Sequence, residues 1–230
     1  MDLAESGSVG GFFALRTGRP DDGAYVPVAE VYAAEPGPLA VRIDRVAERL
    51  RAPERRVAAS IAHLGLAARL WSVALGPAAL YGEIPDLDPA GLLWDPRRTS
   101  PDDLVLAAPR PLPATAESLR QAVQYGHLVP LAAALRRECR ISQRLLWGNA
   151  GSALAGAARE LLVWAEQQGR PEVAERAGAL ARELFAHPDL RSTGVLGPGS
   201  FRRRSCCLYY RCPGGGLCGD CAFDRPPGRP

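Results

Sequence analysis

The sequence predicts a mainly α-helical single domain with a small β element near residues 92–107 and a looped C-terminal appendage. Three observations predict it. Apolar residues recur at helical spacing through most of residues 38–190. Leu92–Trp94 and Leu104–Ala107 are short apolar runs flanked by turn-forming residues. The last 40 residues hold eight glycines and five prolines, which no packed helix accommodates. A chain of 230 residues has room for one good-sized domain.

Taken in order, residues 1–37 form an irregular lead-in rich in Gly and Pro, with apolar runs at Gly11–Leu15 and Tyr25–Val31. Pro27 cannot donate to a ladder, so a strand there belongs at a sheet edge. Residues 38–190 form the body. Val41, Ile43, Val46 and Leu50 mark one helix, and Pro53 fits the first turn of the next. That next segment, Val57–Leu80, is apolar enough to resemble a membrane span, but His63, Arg69 and Pro77 interrupt it. An arginine at mid-bilayer costs at least ~2.5 kcal/mol, so a buried helical pair is the better expectation. Gly82–Gly91 reads as a loop, and the polar Asp95–Asp103 stretch joins the two strands. Helical patterning resumes at Thr115 and runs to Arg137, with a break expected at Gly126. It continues over Ser142–Gln168, where Leu145, Leu154, Leu161 and Trp164 share one face, and over Glu172–Phe185. Residues 191–223 form a cysteine-rich tail, and 224–230 a flexible end.

Hydrophobic residues make up 47% and charged residues 23%, the balance of a soluble globular protein, which excludes collagen, disorder and multi-span membrane folds. All 28 basic residues are arginine. The net charge of +3 is too small for a nucleic-acid binder, but it is unevenly spread. Residues 191–230 carry +5 and the rest –2. The acidic start Met1-Asp2-Leu3-Ala4-Glu5 lacks a secretory pattern. A cytoplasmic, reducing location is therefore expected, where clustered cysteines signal metal or redox chemistry rather than structural disulfides.

Five of the six cysteines fall in the tail. Cys218 and Cys221 form a C-x2-C pair, and ten residues separate Cys218 from the adjacent Cys206 and Cys207. Four thiolates on one looped segment are the ligand set of a [2Fe-2S] cluster and equally of structural zinc. Zinc sites usually take two C-x2-4-C knuckles, and neighbouring cysteines in an extended chain diverge. A two-iron centre tolerates such approaches better, and reactive thiols remain a third reading. Cys212 reads as incidental to the motif, and Cys139 as an apolar filler in a helical run.

The C-C-x10-C-x2-C spacing resembles that of the FhuF-like ferric-siderophore reductases. The surroundings are similar too: Arg203-Arg204-Ser205-Cys206-Cys207-Leu208-Tyr209-Tyr210 and Cys218-Gly219-Asp220-Cys221 in the tail, with Leu70-Trp71-Ser72, Tyr81-Gly82-Glu83-Ile84-Pro85-Asp86 and Leu146-Trp147-Gly148-Asn149 upstream. The resemblance spans roughly residues 11–223. It implies a [2Fe-2S] cluster on Cys206, Cys207, Cys218 and Cys221. It also implies a one-electron reductase that converts chelated Fe(III) to weakly held Fe(II) and releases iron. No hydride-carrying cofactor motif is present, so electrons are expected from a ferredoxin or a flavin-dependent donor. Two alternatives are of other classes: a non-enzymatic siderophore-binding or redox-sensing protein, and a zinc-stapled interaction module. Peripheral membrane association near an importer is compatible with the sequence, although no amphipathic or lipidated segment argues for it.

Several other residues have two readings each. Arg203 and Arg204, with Arg202 and Arg211, form either a solvated surface or a field that stabilises a reduced, more negative cluster. At ~8 Å and an effective dielectric near 20, one arginine would contribute ~2 kcal/mol before screening. Tyr209 and Tyr210 shelter the cluster, face a chelate, or pack in the core. Trp147 and Asn149, the one asparagine in the chain, either hold the cysteine loop or make a helix–helix contact, the plainer reading. His63, His127 and His187 have no metal-ligand spacing and read as structural or exposed.

Overall fold

The computed structural model describes residues 1–20, 23–34 and 37–227. The end expected to be flexible lies partly outside the described residues, at 228–230. The fold is mainly α-helical and is organised around α4 (Arg55–Tyr81), a 27-residue helix buried along most of its length. Its apolar run has no break, so one continuous helix stands where a helical pair was expected. Pro77 lies near its C-terminal end and Gly82, at φ +72°, closes it in the left-handed conformation that suits glycine. Among the described residues α4 is the one helix long and apolar enough to cross a membrane, and 78% of its apolar window is buried inside the protein.

Arg69, the charge that argues against a span, is buried on α4. It pairs with Asp103 at 2.8 Å and donates to the carbonyls of Phe12 and Ala14 at 2.5 and 2.9 Å. A buried guanidinium with all these acceptors ties the N-terminal segment to the core helix.

Around α4 pack α3 (Pro38–Leu50), α7 (Gln143–Gln167) and α8 (Pro171–Ala186), with α7 as its main partner. Between α4 and α7 the chain makes β4 (Leu92–Trp94) and β5 (Leu104–Leu106), an antiparallel pair where the sequence predicts it. The sheet is larger than expected. Two strands from the lead-in, β1 (Arg16–Thr17) and β2 (Val26–Pro27), extend it to the order β1-β5-β4-β2. Pro27 is on the edge strand, as its missing N–H requires. The Gly82–Gly91 loop also contains a strand: β3 (Glu83–Pro85) pairs with β6 (Pro111–Pro113). Three of those six residues are proline, which hides the pair in the sequence but fits a two-stranded ladder with two edges.

Thr115 caps α5 (Ala116–Leu119) by accepting from the Ser118 N–H at 3.0 Å. The break expected at Gly126 is instead a π-helical stretch, Arg120–Leu128, running without interruption into α6 (Val129–Glu138). Short α1 (Leu3–Ser6) and α2 (Val28–Ala33) complete the N-terminal part, and α9 (Pro188–Arg191) leads into the tail. The tail is not all loop. It opens with a hairpin, β7 (Gly194–Gly197) and β8 (Ser200–Arg203), turned at Gly199 with φ +62°. Along β8 burial alternates: Phe201 and Arg203 face in, Ser200 and Arg202 face out.

Candidate metal centre

The tail is seated on α7 through a face of small residues. A methyl group on Gly148 would come 2.0 Å from Ser205 Oγ, and one on Gly151 would come 2.3 Å from Thr193 Oγ1 and 3.3 Å from the Phe201 ring. Both positions therefore need the bare backbone for this approach. Between these glycines, Asn149 makes contacts in both directions. Its Nδ2 donates to the Ser60 carbonyl on α4 at 2.8 Å, and its Oδ1 accepts from Arg203 on β8 at 2.5 Å. The helix–helix contact and the hold on the tail are thus one interaction.

Further anchors lie on either side. Asp220, buried within the C-x2-C turn, accepts from Ser152 at 2.5 Å and from Arg159 at 3.2 Å, and its carbonyl accepts from the Arg203 N–H at 3.0 Å. Ser60 donates to the Cys207 carbonyl at 2.7 Å. Arg211 pairs with Glu54 at the start of α4. Helix α4, helix α7 and the tail thereby form one unit.

These anchors bring the two halves of the cysteine motif together. The Cys207 sulfur neighbours those of Cys206 and Cys218 closely enough to perturb their ionisation, and Cys221 lies within electrostatic reach of Cys206. Cys206 and Cys221 each accept from the backbone N–H two residues ahead. Leu208 donates to Cys206 at 3.2 Å and Phe223 to Cys221 at 3.5 Å, and the Tyr209 and Asp220 backbones favour the thiolates of Cys207 and Cys218. Just after the adjacent cysteines the chain turns sharply, with Leu208 in the left-handed conformation at φ +70°, ψ +5°. A left-handed leucine costs roughly 1–2 kcal/mol and persists where surrounding structure requires it.

Cys207, followed by the Leu208 N–H, draws the Cys206 thiol down to about 7, whereas the Cys207 thiol is raised by Cys206 and the Cys218 thiol by Cys207. Among the described residues no three His, Cys, Asp or Glu side chains converge on one point as ligands of a single ion. Cys206 interacts with Cys207 and Cys221, and Cys207 also with Cys218. Four neighbouring thiols on one looped segment are a donor set that fits a [2Fe-2S] centre.

Arg203 supplies an independent test of fit. Its side chain is 2% exposed, and it forms no ion pair among the described residues. Its Nε and Nη1 are buried and have no hydrogen-bond acceptor, while its charge acts on Cys206, Cys207 and Cys218. A buried guanidinium needs a counter-charge, and a thiolate-ligated [2Fe-2S] centre is anionic. The donor set, the N–H···S bonds and this orphaned cation all fit such a centre.

The remaining candidates sort clearly. Arg202 and Arg204 are solvent-exposed, Arg202 paired with Asp224 at 2.7 Å, whereas Arg203 between them is buried. Tyr210 is half-buried, edge-on to Phe223 at 6.1 Å and beneath the Arg211 guanidinium, while Tyr209 contributes its backbone. Trp147 is half-buried and lines a cavity with Arg204 and Ser205. Cys212 is buried under the Tyr209–Arg211 turn, its N–H bonded to the Tyr209 carbonyl at 3.0 Å. Cys139 ends α6 with its sulfur against the Leu135 carbonyl.

His63 is buried on α4, its pKa pushed down to about 3 by desolvation and then by Arg203. His127 donates to or accepts from Tyr32 Oη and the Leu87 carbonyl in the core, and His187 Nδ1 accepts from the Asp189 N–H at the start of α9. Sequence reasoning did not single out Ser60, Ser152 or the clamp role of Asp220. Serine and aspartate are too common to stand out, although the small-residue run Gly148–Ala153 is a visible signal of close approach.

A family model described as the ferric iron reductase FhuF-like transporter matches residues 86–205, slightly more than half of the chain. A second, the FhuF 2Fe-2S C-terminal domain, matches residues 203–223, which contain the cysteine motif. Comparison with curated proteins gave no match. With a [2Fe-2S] cluster as its cofactor, the chain belongs to the FhuF-like ferric iron reductase family.

Proposed function

We infer that the protein is a one-electron reductase of ferric siderophores. When bound, a [2Fe-2S] cluster stores and passes single electrons. Cys206, Cys207, Cys218 and Cys221 would hold it, and the N–H···S bonds to Cys206 and Cys221 lower the cost of negative charge on sulfur. Arg203 balances that charge from the protein side. Three of the four cysteines are only half-buried, so the centre lies near enough to the surface to exchange electrons with bound partners. In the net reaction, an external one-electron donor, a ferredoxin or flavin-dependent protein, is oxidised, and chelated Fe(III) becomes Fe(II). Siderophore oxygens hold the less charged Fe(II) far more weakly, so the metal leaves without acid–base help from the chain.

The observation that carries this reading is the buried Arg203, without a carboxylate partner among the described residues, beside four cysteines of which Cys206 and Cys221 accept a backbone N–H. The test combines reduced donor, cluster-loaded protein and a ferric siderophore with a ferrous-specific trap. Ferrous signal above the donor-only control is expected. Its absence would contradict the reductase role. Cys218→Ser should abolish the signal while chelate binding persists, whereas a binding protein would bind chelate without giving the signal in either form.

A further inference from the structure

Large apolar side chains that reach solvent gather around the cysteine motif. Ten are exposed among the described residues, and four of them, Val195, Leu196, Leu217 and Phe223, belong to the tail. Leu217 directly precedes Cys218, and Phe223 donates its N–H to the Cys221 sulfur at 3.5 Å. Both cysteines are themselves half-buried. The surface over the C-x2-C turn is therefore apolar and open to solvent.

The hairpin extends this surface. Val195 lies opposite Arg202 in the β7–β8 register, so the two side chains share the outer face. Arg202 pairs with Asp224 at 2.7 Å, which lays the chain after Cys221 along that face. Next to Asp224, the Phe223 ring stands edge-on to Tyr210 at 6.1 Å, and the Arg211 guanidinium covers Tyr210 at 5.8 Å. An apolar centre within a charged rim is the anatomy of a protein contact surface.

The charge of the rim indicates the charge of the partner. Asp224, Glu54 and the buried Asp220, the carboxylates tied to this face, are already matched by Arg202, Arg211 and Arg159. Arg225, beside them, is exposed and forms no ion pair among the described residues. The excess is positive, and residues 191–230 carry +5 against –2 for the rest of the chain. A thiolate-ligated cluster, about –2 when oxidised, leaves the tail positive. Such a charge axis steers a negatively charged protein toward the cysteines.

We propose that this face, with Val195, Leu217 and Phe223 at its centre, docks the electron donor, and that the donor is an acidic one-electron carrier protein. The proposal rests on the reductase reading above and adds where the electron enters. One electron leaves the reduced carrier, which is oxidised, and is taken up at the cysteine centre; no bond forms or breaks. Encounters between redox proteins bury less than about 1,200 Å², so a single patch of this kind suffices.

The test titrates oxidised plant-type ferredoxin and oxidised flavodoxin, both acidic, against the oxidised, cluster-loaded full chain by calorimetry. Oxidised cytochrome c, a basic carrier, is the control. With every partner oxidised, no electron moves and binding is measured alone. At least one acidic carrier should bind, about tenfold or more tighter than cytochrome c, and less tightly as salt is raised. Phe223→Ser should weaken it about tenfold, removing an aromatic anchor but not the N–H that bonds Cys221. V195E/R225E changes only exposed side chains outside the cysteine motif, so it should keep the cluster absorbance and weaken carrier binding at least as much. V195I/R225K should bind as the native chain does.

No binding of either acidic carrier, cytochrome c binding as tightly, or affinity indifferent to V195E/R225E would overturn the proposal. So would sedimentation with phosphatidylglycerol vesicles that V195E/R225E abolishes while carrier binding persists, which would make this face a membrane contact. Carrier binding as expected, with no ferrous iron formed from any ferric siderophore once the carrier is reduced, would contradict the reductase reading and uphold the docking face.

Discussion

Arg203 hydrogen-bonds to Asn149 Oδ1 at 2.5 Å, and its remaining guanidinium nitrogens, Nε and Nη1, are buried without an acceptor among the described residues. One face of the cation is fixed by the helix while its charge reaches the cysteines. Arg203→Gln should therefore lower the midpoint potential in a voltammetric titration. At ~8 Å and an effective dielectric near 20 the charge is worth ~2 kcal/mol, or at most ~90 mV for one electron. Arg204→Gln, with its charge in solvent, should lower it by much less. A larger shift for Arg204 than for Arg203 would contradict this assignment.

The Leu208 backbone can be tested by proline. Leu208→Pro fixes φ near –65° and deletes the N–H that bonds Cys206, so cluster content should fall severely. Leu208→Gly keeps the N–H and suits φ +70°, so it should retain most of the cluster. Iron analysis of the two variants purified side by side without air separates the outcomes.

The glycine face of α7 gives a paired substitution. Gly151→Ala places a methyl 3.0 Å from Thr193 Cβ, and overpacking of this kind costs typically ~1–3 kcal/mol. Gly156→Ala, on the same helix, meets nothing closer than an Arg159 nitrogen at 3.9 Å and should gain up to ~1 kcal/mol of helix propensity. Denaturant midpoints should move in opposite directions, with cluster content reduced in Gly151→Ala alone.

His127 is buried between Tyr32 and Leu87, and desolvation lowers its pKa to about 4. In the unfolded chain it takes up a proton near pH 6.5. Between pH 6.5 and 4 the unfolded state therefore binds more protons, and stability falls with pH by up to ~1.4 kcal/mol per unit for this residue. His127→Gln should be less stable at neutral pH yet show a shallower acid slope. Denaturant midpoints across this pH range measure both effects.

Much of this fold is legible in the sequence because its long helices carry strong periodicity. The β4–β5 pair and the edge position of Pro27 follow from equally local rules. The β3–β6 ladder and the tail hairpin were hidden by their own prolines and glycines, whose pairing depends on surfaces that only the packed helices create. The cysteine set is legible from spacing and resemblance. The separation of Arg203 from its two arginine neighbours is not, because it follows from the strand alternation of a hairpin the sequence reads as loop. Asn149 shows the same limit: a helix face predicts that it is buried, but not that one amide serves both α4 and the tail.

The most direct test is iron, acid-labile sulfide and low-temperature paramagnetic resonance on anaerobically purified protein, with Cys212→Ser and Cys206→Ser as companions. Two irons and two sulfides per chain, and a resonance signal after dithionite, are expected in the native protein and in Cys212→Ser but not in Cys206→Ser. Stoichiometric zinc without sulfide, or a native protein silent after reduction, would contradict the account.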